Sequence, residues 1–201
     1  LDSEDEYSIE NLIKNINKDV GNLDFVVHAL AYSDKEELKG KYVETSRQNF
    51  LSTLDISTYS FTRISKSASK IMSNGGSLIT LTYIGSNKTT PNYNVMGVAK
   101  AALETSVKYL SADLGKNNIR VNAISAGPMK TIAGAAISGA RHVYRYSEKI
   151  APLQKNPDLE QVGNAALYLL SDISSGVTGL THYVDGGLKV VGIPNQDMVN
   201  I

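Results

Sequence analysis

Helix-like and strand-like stretches alternate along this chain, and that alternation restricts its folding more than any other feature of its 201 residues. Ser8 to Val20 places Ile9, Leu12, Ile13, Ile16 and Val20 at helical spacing, and Gly21 follows as a terminator. The short apolar run Leu23 to Val27 then reads as a buried strand. A long helical stretch from about Ser46 to Met72 is stopped by Asn74-Gly75-Gly76, and Ser77 to Thr82 has strand composition. The pair recurs with a helix over Tyr93 to Leu114, a turn at Gly115 to Asn118 and a strand over Ile119 to Ile124. It recurs again with a helix over Leu159 to Ser171 and an extended Thr181 to Val184. Such alternation predicts an α/β fold, a Rossmann-type doubly wound parallel sheet with helices on both faces. In these sheets ligands sit beyond the carboxyl ends of the strands, which directs attention to the residues after Val27, Thr82 and Ile124.

Composition narrows the function classes. Lys plus Arg and Asp plus Glu number 20 each, so the charge balance suggests neither a nucleic acid nor an anionic membrane as partner. No apolar run approaches the roughly 20 residues that span a bilayer, and the acidic start Leu1 to Glu6 is unlike a signal peptide. The absence of cysteine removes disulfides and thiolate chemistry and is compatible with a cytoplasmic location. His28, His142 and His182 lack ligand spacing, so no metal site is expected. The stretch from about 129 to 147 is rich in Ala and Gly and ends in a basic, aromatic half; it is expected to form a substrate-binding loop or lid, an ordinary surface helix pair being the alternative.

The residues that could do chemistry cluster after the second strand. Tyr93 and Lys100 are seven apart, so two helical turns bring both to one face. An ammonium within a few Å favours the ionised phenol, and a lysine can also hold a ribose hydroxyl. Tyr83 ends the preceding strand, and two phenols converging on one cleft can polarise a carbonyl oxygen as charge develops on it. His28, at the end of the first strand, has no acid/base partner in the sequence and reads as structural rather than catalytic.

Leu81-Thr82-Tyr83-Ile84-Gly85 followed by Pro91-Asn92-Tyr93-Asn94-Val95-Met96-Gly97-Val98-Ala99-Lys100-Ala101 resembles the signature of the enoyl-acyl-carrier-protein reductases, members of the short-chain dehydrogenase/reductase superfamily. Ordinary superfamily members carry Tyr four residues before Lys, where this chain has Met96. Arg120 to Pro128 with Thr131, and Val184-Asp185-Gly186-Gly187, extend the likeness over nearly the whole chain.

The resemblance implies NADH-dependent reduction of a trans-2-enoyl group carried on acyl carrier protein, the last reductive step of fatty-acid elongation. NADPH stays open as the reductant. It implies catalytic roles for Tyr93, Lys100 and Tyr83, with Lys100 on the nicotinamide ribose and Tyr93 on the thioester carbonyl or its enolate. Cofactor contacts are implied for Asp2, Ser3, Ala29, Leu30, Ala31, Ala126, Gly127, Pro128 and Thr131, where Gly127 would let the backbone approach the cofactor. Substrate contacts are implied for Tyr83, Tyr93, Met96, Ala133, Ala136 and Ile137. The family's homotetramer would form through the helices near 46 to 72 and 93 to 114, and Arg141, Arg145 and Lys149 would suit an acidic carrier protein. A carbonyl reductase acting on a free small molecule is the runner-up, which Met96 disfavours, and a non-catalytic relative of a reductase is a third reading.

A dinucleotide-binding sheet opens with a Gly-rich turn that holds the pyrophosphate, and no such turn occurs in the first residues here. The expectation is therefore a single, incomplete reductase domain over 1–201, a portion of a longer product lacking its N-terminal strands. At roughly 30 residues per βα unit, about 60 would precede Leu1. The Leu23 to Val27 strand would then stand at an apolar, uncovered edge, and the stretch alone is expected not to bind NADH tightly.

Overall fold

The computed structural model describes residues 6–131 and 138–199. Its helices are α1 (Glu6–Asp19), α2 (Arg47–Leu54), α3 (Ser60–Ala68), α4 (Asn94–Leu114), α5 (Ala140–Ile150), α6 (Leu159–Leu170) and α7 (Gln196–Val199). Its strands are β1 (Phe25–His28), β2 (Gly76–Thr82), β3 (Ile119–Ala126) and β4 (Thr181–Val184). They form one four-stranded sheet in the order β1-β2-β3-β4, and every neighbouring pair is parallel. All four strands therefore end on the same edge, and His28, Thr82, Ala126 and Val184 mark it.

Because side chains alternate along a strand, the sheet feeds two separate cores. Leu78, Val121 and Ala123 face Phe61 of α3 and Leu103 and Val107 of α4, all with no exposure. Ile79, Ile124 and Ala126 point the other way, onto Val162 and Leu169 of α6. Burying each large aliphatic or aromatic side chain contributes about 1.5–3 kcal/mol, so both faces are strongly held. Helices do lie on both faces, as the alternation requires.

The stretch from Ser46 to Met72 is one rod with an irregular middle. Ser46 caps α2 by accepting from the Asn49 backbone N–H, and Asp55–Tyr59 form a wide π turn before α3. The rod ends in a 3-10 turn at Ser69–Ile71, and Gly75 and Gly76 then turn the chain at positive φ, 80° and 150°. A Cβ at either glycine would collide with backbone, at Asn118 for Gly75 and at Asp24 for Gly76, so the turn needs both the conformation and the space.

β1 is the edge of the sheet, and Phe25 and Val27 stand about half exposed there, 51 % and 47 %. The stretch expected to carry a lid divides into parts. Residues 128–131 have no regular structure, 132–137 lie outside the described residues, and the basic aromatic half is helix α5.

Candidate active site

Tyr93 stands at the mouth of α4, at the residue before its first turn, with φ of −109°. Asn92 and Asn94 on either side hold left-handed backbone, φ 57° and 36°, a conformation asparagine tolerates better than most residues. Asn92 Nδ2 donates to the Ser138 carbonyl at 2.8 Å, and Asn94 Nδ2 to the Leu38 carbonyl at 3.1 Å. The two amides thus tie down the turn that aims Tyr93. The ring lies in an apolar cluster with Leu38, Val95, Met96 and Ala99, and its centroid is 5.1 Å from that of Tyr83, edge on at 66°. The two phenols converge, as the sequence predicts.

Gly85 and Gly97 make this contact possible. A methyl at Gly85 would run into Cδ1 and Cε1 of Tyr93, and one at Gly97 would lie 2.7 Å from the Gly85 carbonyl oxygen. Neither position stood out in the sequence, because both glycines have ordinary backbone angles and their reason is a neighbour far along the chain. Gly85→Ala should displace the Tyr93 ring and lower turnover by about tenfold or more while the melting temperature stays near that of the parent, since a misplacement of about 1 Å at reacting groups has that scale. Steady-state kinetics beside thermal melting checks it, and unchanged turnover would show that the ring tolerates the methyl.

Lys100 lies two turns along α4, also buried, and its Nζ donates to the Leu81 carbonyl at 2.8 Å. Burial pushes the ammonium down to about 8, against the opposing pull of Glu104. Burial raises the Tyr93 phenol above its ordinary value, with Tyr83 and Glu104 adding to the effect, and burial also raises Tyr83. This reverses the expected lowering of Tyr93 by Lys100. The lysine is turned toward the β2 backbone, and the loss of water outweighs any attraction across the site. Tyr93 is therefore a neutral hydrogen-bond donor at physiological pH.

His28 is structural. Its Nδ1 lies 2.9 Å from Thr80 Oγ1 and its Nε2 2.8 Å from Ser60 Oγ. The Ser60 hydroxyl donates to the Ile56 carbonyl at 2.6 Å, so its oxygen accepts from Nε2–H, while Thr80 Oγ1 faces Nδ1 and lies 3.2 Å from the His28 carbonyl. Burial, with the charge of Lys100 next, holds His28 down to about 4, and the imidazole is neutral. Along the same rod Asn49 accepts from the Asp34 backbone N–H, Thr53 donates to Ser33, and Ser57 exchanges two hydrogen bonds with the Tyr32 backbone. This polar seam, which the π turn helps to align, holds the segment that leaves β1. Ala29, Leu30 and Ala31 lie on it, exposed at the strand-end edge.

Ala126 ends β3, and Gly127, Pro128 and Thr131 follow at the same edge. A Cβ at Gly127 would meet Pro157 at 2.8 Å and the Asp185 Cα at 3.0 Å, so this glycine admits close packing of chain on chain. Asp2, Ser3, Ala133, Ala136 and Ile137 lie outside the described residues. Among the described residues, no cluster of His, Asp and Glu could hold a metal ion, and no helix is long and apolar enough to cross a membrane.

On the far side of Tyr83 opens a cavity of about 470 Å³. Ile84, Val143, Tyr146, Ile150 and Leu188 give it apolar walls. Three of these belong to α5, whose inner face repeats at helical spacing while Arg141 and Arg145 point outward, exposed. Of the expected site residues that are described, only Tyr83 lines it.

A parallel sheet wound by helices on both faces, with a Tyr and a Lys of one helix buried beyond its strand ends, defines the short-chain dehydrogenase/reductase class. Residues 1–189 match the family described as enoyl-(acyl carrier protein) reductase. A Rhizobium meliloti protein named enoyl-[acyl-carrier-protein] reductase [NADH] 1 is 53 % identical over 200 residues, which cover all of this chain and 74 % of that protein. A Staphylococcus aureus relative named as the NADPH form is 48 % identical over 191 residues, 95 % of this chain and 75 % of its own length. The crystal structure of the Anaplasma phagocytophilum reductase in complex with NAD superposes with a TM-score of 0.94 at 52 % identity, covering all of this chain and 74 % of the other. The chain belongs to the enoyl-acyl-carrier-protein reductase family.

Proposed function

We infer that this protein reduces the double bond of a trans-2-enoyl thioester on acyl carrier protein, with NADH as reductant, as the relatives at about 53 % identity are named to do. The observation that carries the reading is the pair of phenols in contact where α4 begins, with a buried lysine two turns along that helix. NADH, when bound, would supply a hydride to the β-carbon of the substrate, and the enolate so formed would take up a proton at its α-carbon, drawn in the end from solvent. Tyr93, neutral and donating, would hold the thioester oxygen as charge develops on it, which is worth more in a water-poor site than in water. Lys100 has donors to spare beyond the Leu81 carbonyl, and these suit a nicotinamide ribose. Exposed Ala29, Leu30 and Ala31, with Pro128 and Thr131 across the edge, offer short side chains beside which the rest of the cofactor could lie. The spare lysine donors and this edge suit a dinucleotide.

Tyr83 borders the 470 Å³ cavity, whose apolar walls suit an acyl chain. Met96 sits in the cluster behind Tyr93, and we assign it the task of backing that ring. Arg141 and Arg145 on the outer face of α5, with Lys149 one turn on, suit an acidic carrier protein. Leu51, Tyr59, Val98 and Tyr109 stand exposed along the α2 to α3 rod and α4, and we propose that they meet other copies in a homotetramer. Light scattering tests that assembly. We place the enzyme in the cytoplasm.

Loss of reduced-nicotinamide absorbance on adding crotonyl thioester, with no reaction on simple ketones, is the expected result. Ketone reduction without enoyl reduction would favour the carbonyl-reductase reading. The Lys100 ammonium predominates below its value of about 8 and is lost as pH rises through it, so kcat/KM should be level on the acid side and fall above about pH 8. A pH profile in Lys100→Met, where that limb should vanish, checks the assignment.

A further inference from the structure

Glu104 lies one turn beyond Lys100 on α4, pointing at the end of β2 and the turn that follows. Thr82 Oγ1 donates to Glu104 Oε1 at 2.8 Å, and the Ser86 hydroxyl donates to the same oxygen. Asn87 Nδ2 donates to Oε2 at 3.2 Å and to Ser86 Oγ at 2.7 Å. One carboxylate therefore collects donors from both ends of the segment 82–87, and Tyr83 and Gly85 lie between those ends. Lys100 grips the residue just before it, through the Leu81 carbonyl. The enoyl-reductase chemistry requires Tyr83 and Gly85 to sit against Tyr93, and these tethers add to the direct packing of Gly85 on Gly97 and Tyr93 of α4.

We propose that Glu104 is a positioning residue of the active site: its carboxylate clamps both ends of the Tyr83 turn onto α4 and so sets the Tyr83–Tyr93 contact. This rests on the reading of Tyr93 and Lys100 as the reacting pair. A carboxylate is suited to the task because it is an acceptor at both oxygens, whereas an amide at this position would turn an N–H toward one of the donors. Its negative charge also favours the ammonium form of Lys100 and opposes ionisation of Tyr93. The other groups near the clamp are Tyr183, whose hydroxyl lies 3.4 Å from Asn87 Nδ2, and Lys189, whose ammonium stands 3.5 Å above the Tyr183 ring. Lys88 is turned away, donating to the Lys189 and Val191 carbonyls, and His28 on the far side of Lys100 is neutral.

The test is Glu104→Gln in the intact enzyme, nearly equal in volume. We expect kcat to fall by about tenfold with KM for NADH within about twofold, because the turn is loosened while the cofactor edge is untouched. The basic limb of kcat/KM should move to lower pH by about half a unit or more, since Lys100 loses a neighbouring anion. A purely structural glutamate would leave that limb in place, so a fall in kcat without the shift overturns the proposal, as does kcat within twofold of the parent. Should Glu104→Gln fail to fold, a Thr82→Val, Ser86→Ala double variant removes two tethers and keeps the charge. It must lower kcat at unchanged KM for NADH, and parental kcat overturns the proposal. Tyr93→Phe run alongside separates the two readings: if it retains full activity the site assignment itself has failed, and if it alone is crippled only the role of Glu104 has.

Discussion

Tyr93→Phe is expected to lower kcat on crotonyl thioester by about two to three orders of magnitude, the scale seen when one donor is removed from an oxyanion site. The reason lies in the state of the phenol. Burial and the neighbouring Tyr83 and Glu104 keep it protonated, so what it offers the thioester is an O–H aimed by a rigid turn. The ring itself should stay in place, because it is held by Leu38, Val95, Met96 and Ala99 and by the space at Gly85. Loss of a single hydroxyl should therefore change stability by no more than about 1 kcal/mol. Single-turnover hydride transfer beside thermal melting makes the measurement. Parental turnover in a folded variant would remove Tyr93 from the mechanism.

Lys100→Met should cost as much, and in a different parameter. The substitution keeps an unbranched chain in the same buried slot but removes the donor to Leu81 and any donor to the ribose. The expected result is a fall in kcat/KM for NADH of about a thousandfold, with weaker NADH binding as a major component, on the scale of losing charge-assisted hydrogen bonds in a buried site. The fold should survive, since an ammonium held down to about 8 is already a group that the interior disfavours. Isothermal titration of the intact enzyme with NADH, set beside the kinetics, decides it, and parental affinity would show that the lysine serves the backbone of β2 alone.

Much of the architecture was legible along the chain because its signals are local. The helix at Leu159 begins where a capping box does, with Asp158 and Gln161 satisfying each other's backbone, and it ends within a residue of its expected limit. The α4 helix opens immediately after Tyr93, and both Tyr93 and Lys100, seven residues apart, are buried. Where the reading fell short, the cause was distant in sequence. The rod at 47–71 contains a π turn because its polar residues must meet Tyr32, Ser33 and His28, strand-end neighbours that no periodicity reveals. For the basic stretch after Gly139 composition left a substrate loop and a surface helix pair both open; it is helical, with Val143, Tyr146 and Ile150 turned to one apolar cavity.

What the amino-acid order determined by itself was the alternation of elements, the parallel sheet and the two-turn interval that would bring Tyr93 and Lys100 to one face, since each follows from backbone geometry over a few turns. What only the tertiary structure decided was the chemistry of that face. The direction of the Tyr93 and Lys100 shifts, the clamp at Glu104 and the clearances at Gly85, Gly97 and Gly127 all depend on which groups from remote segments displace water there. Desolvation and contact distance are properties of the packed molecule, and a protonation state is set by them.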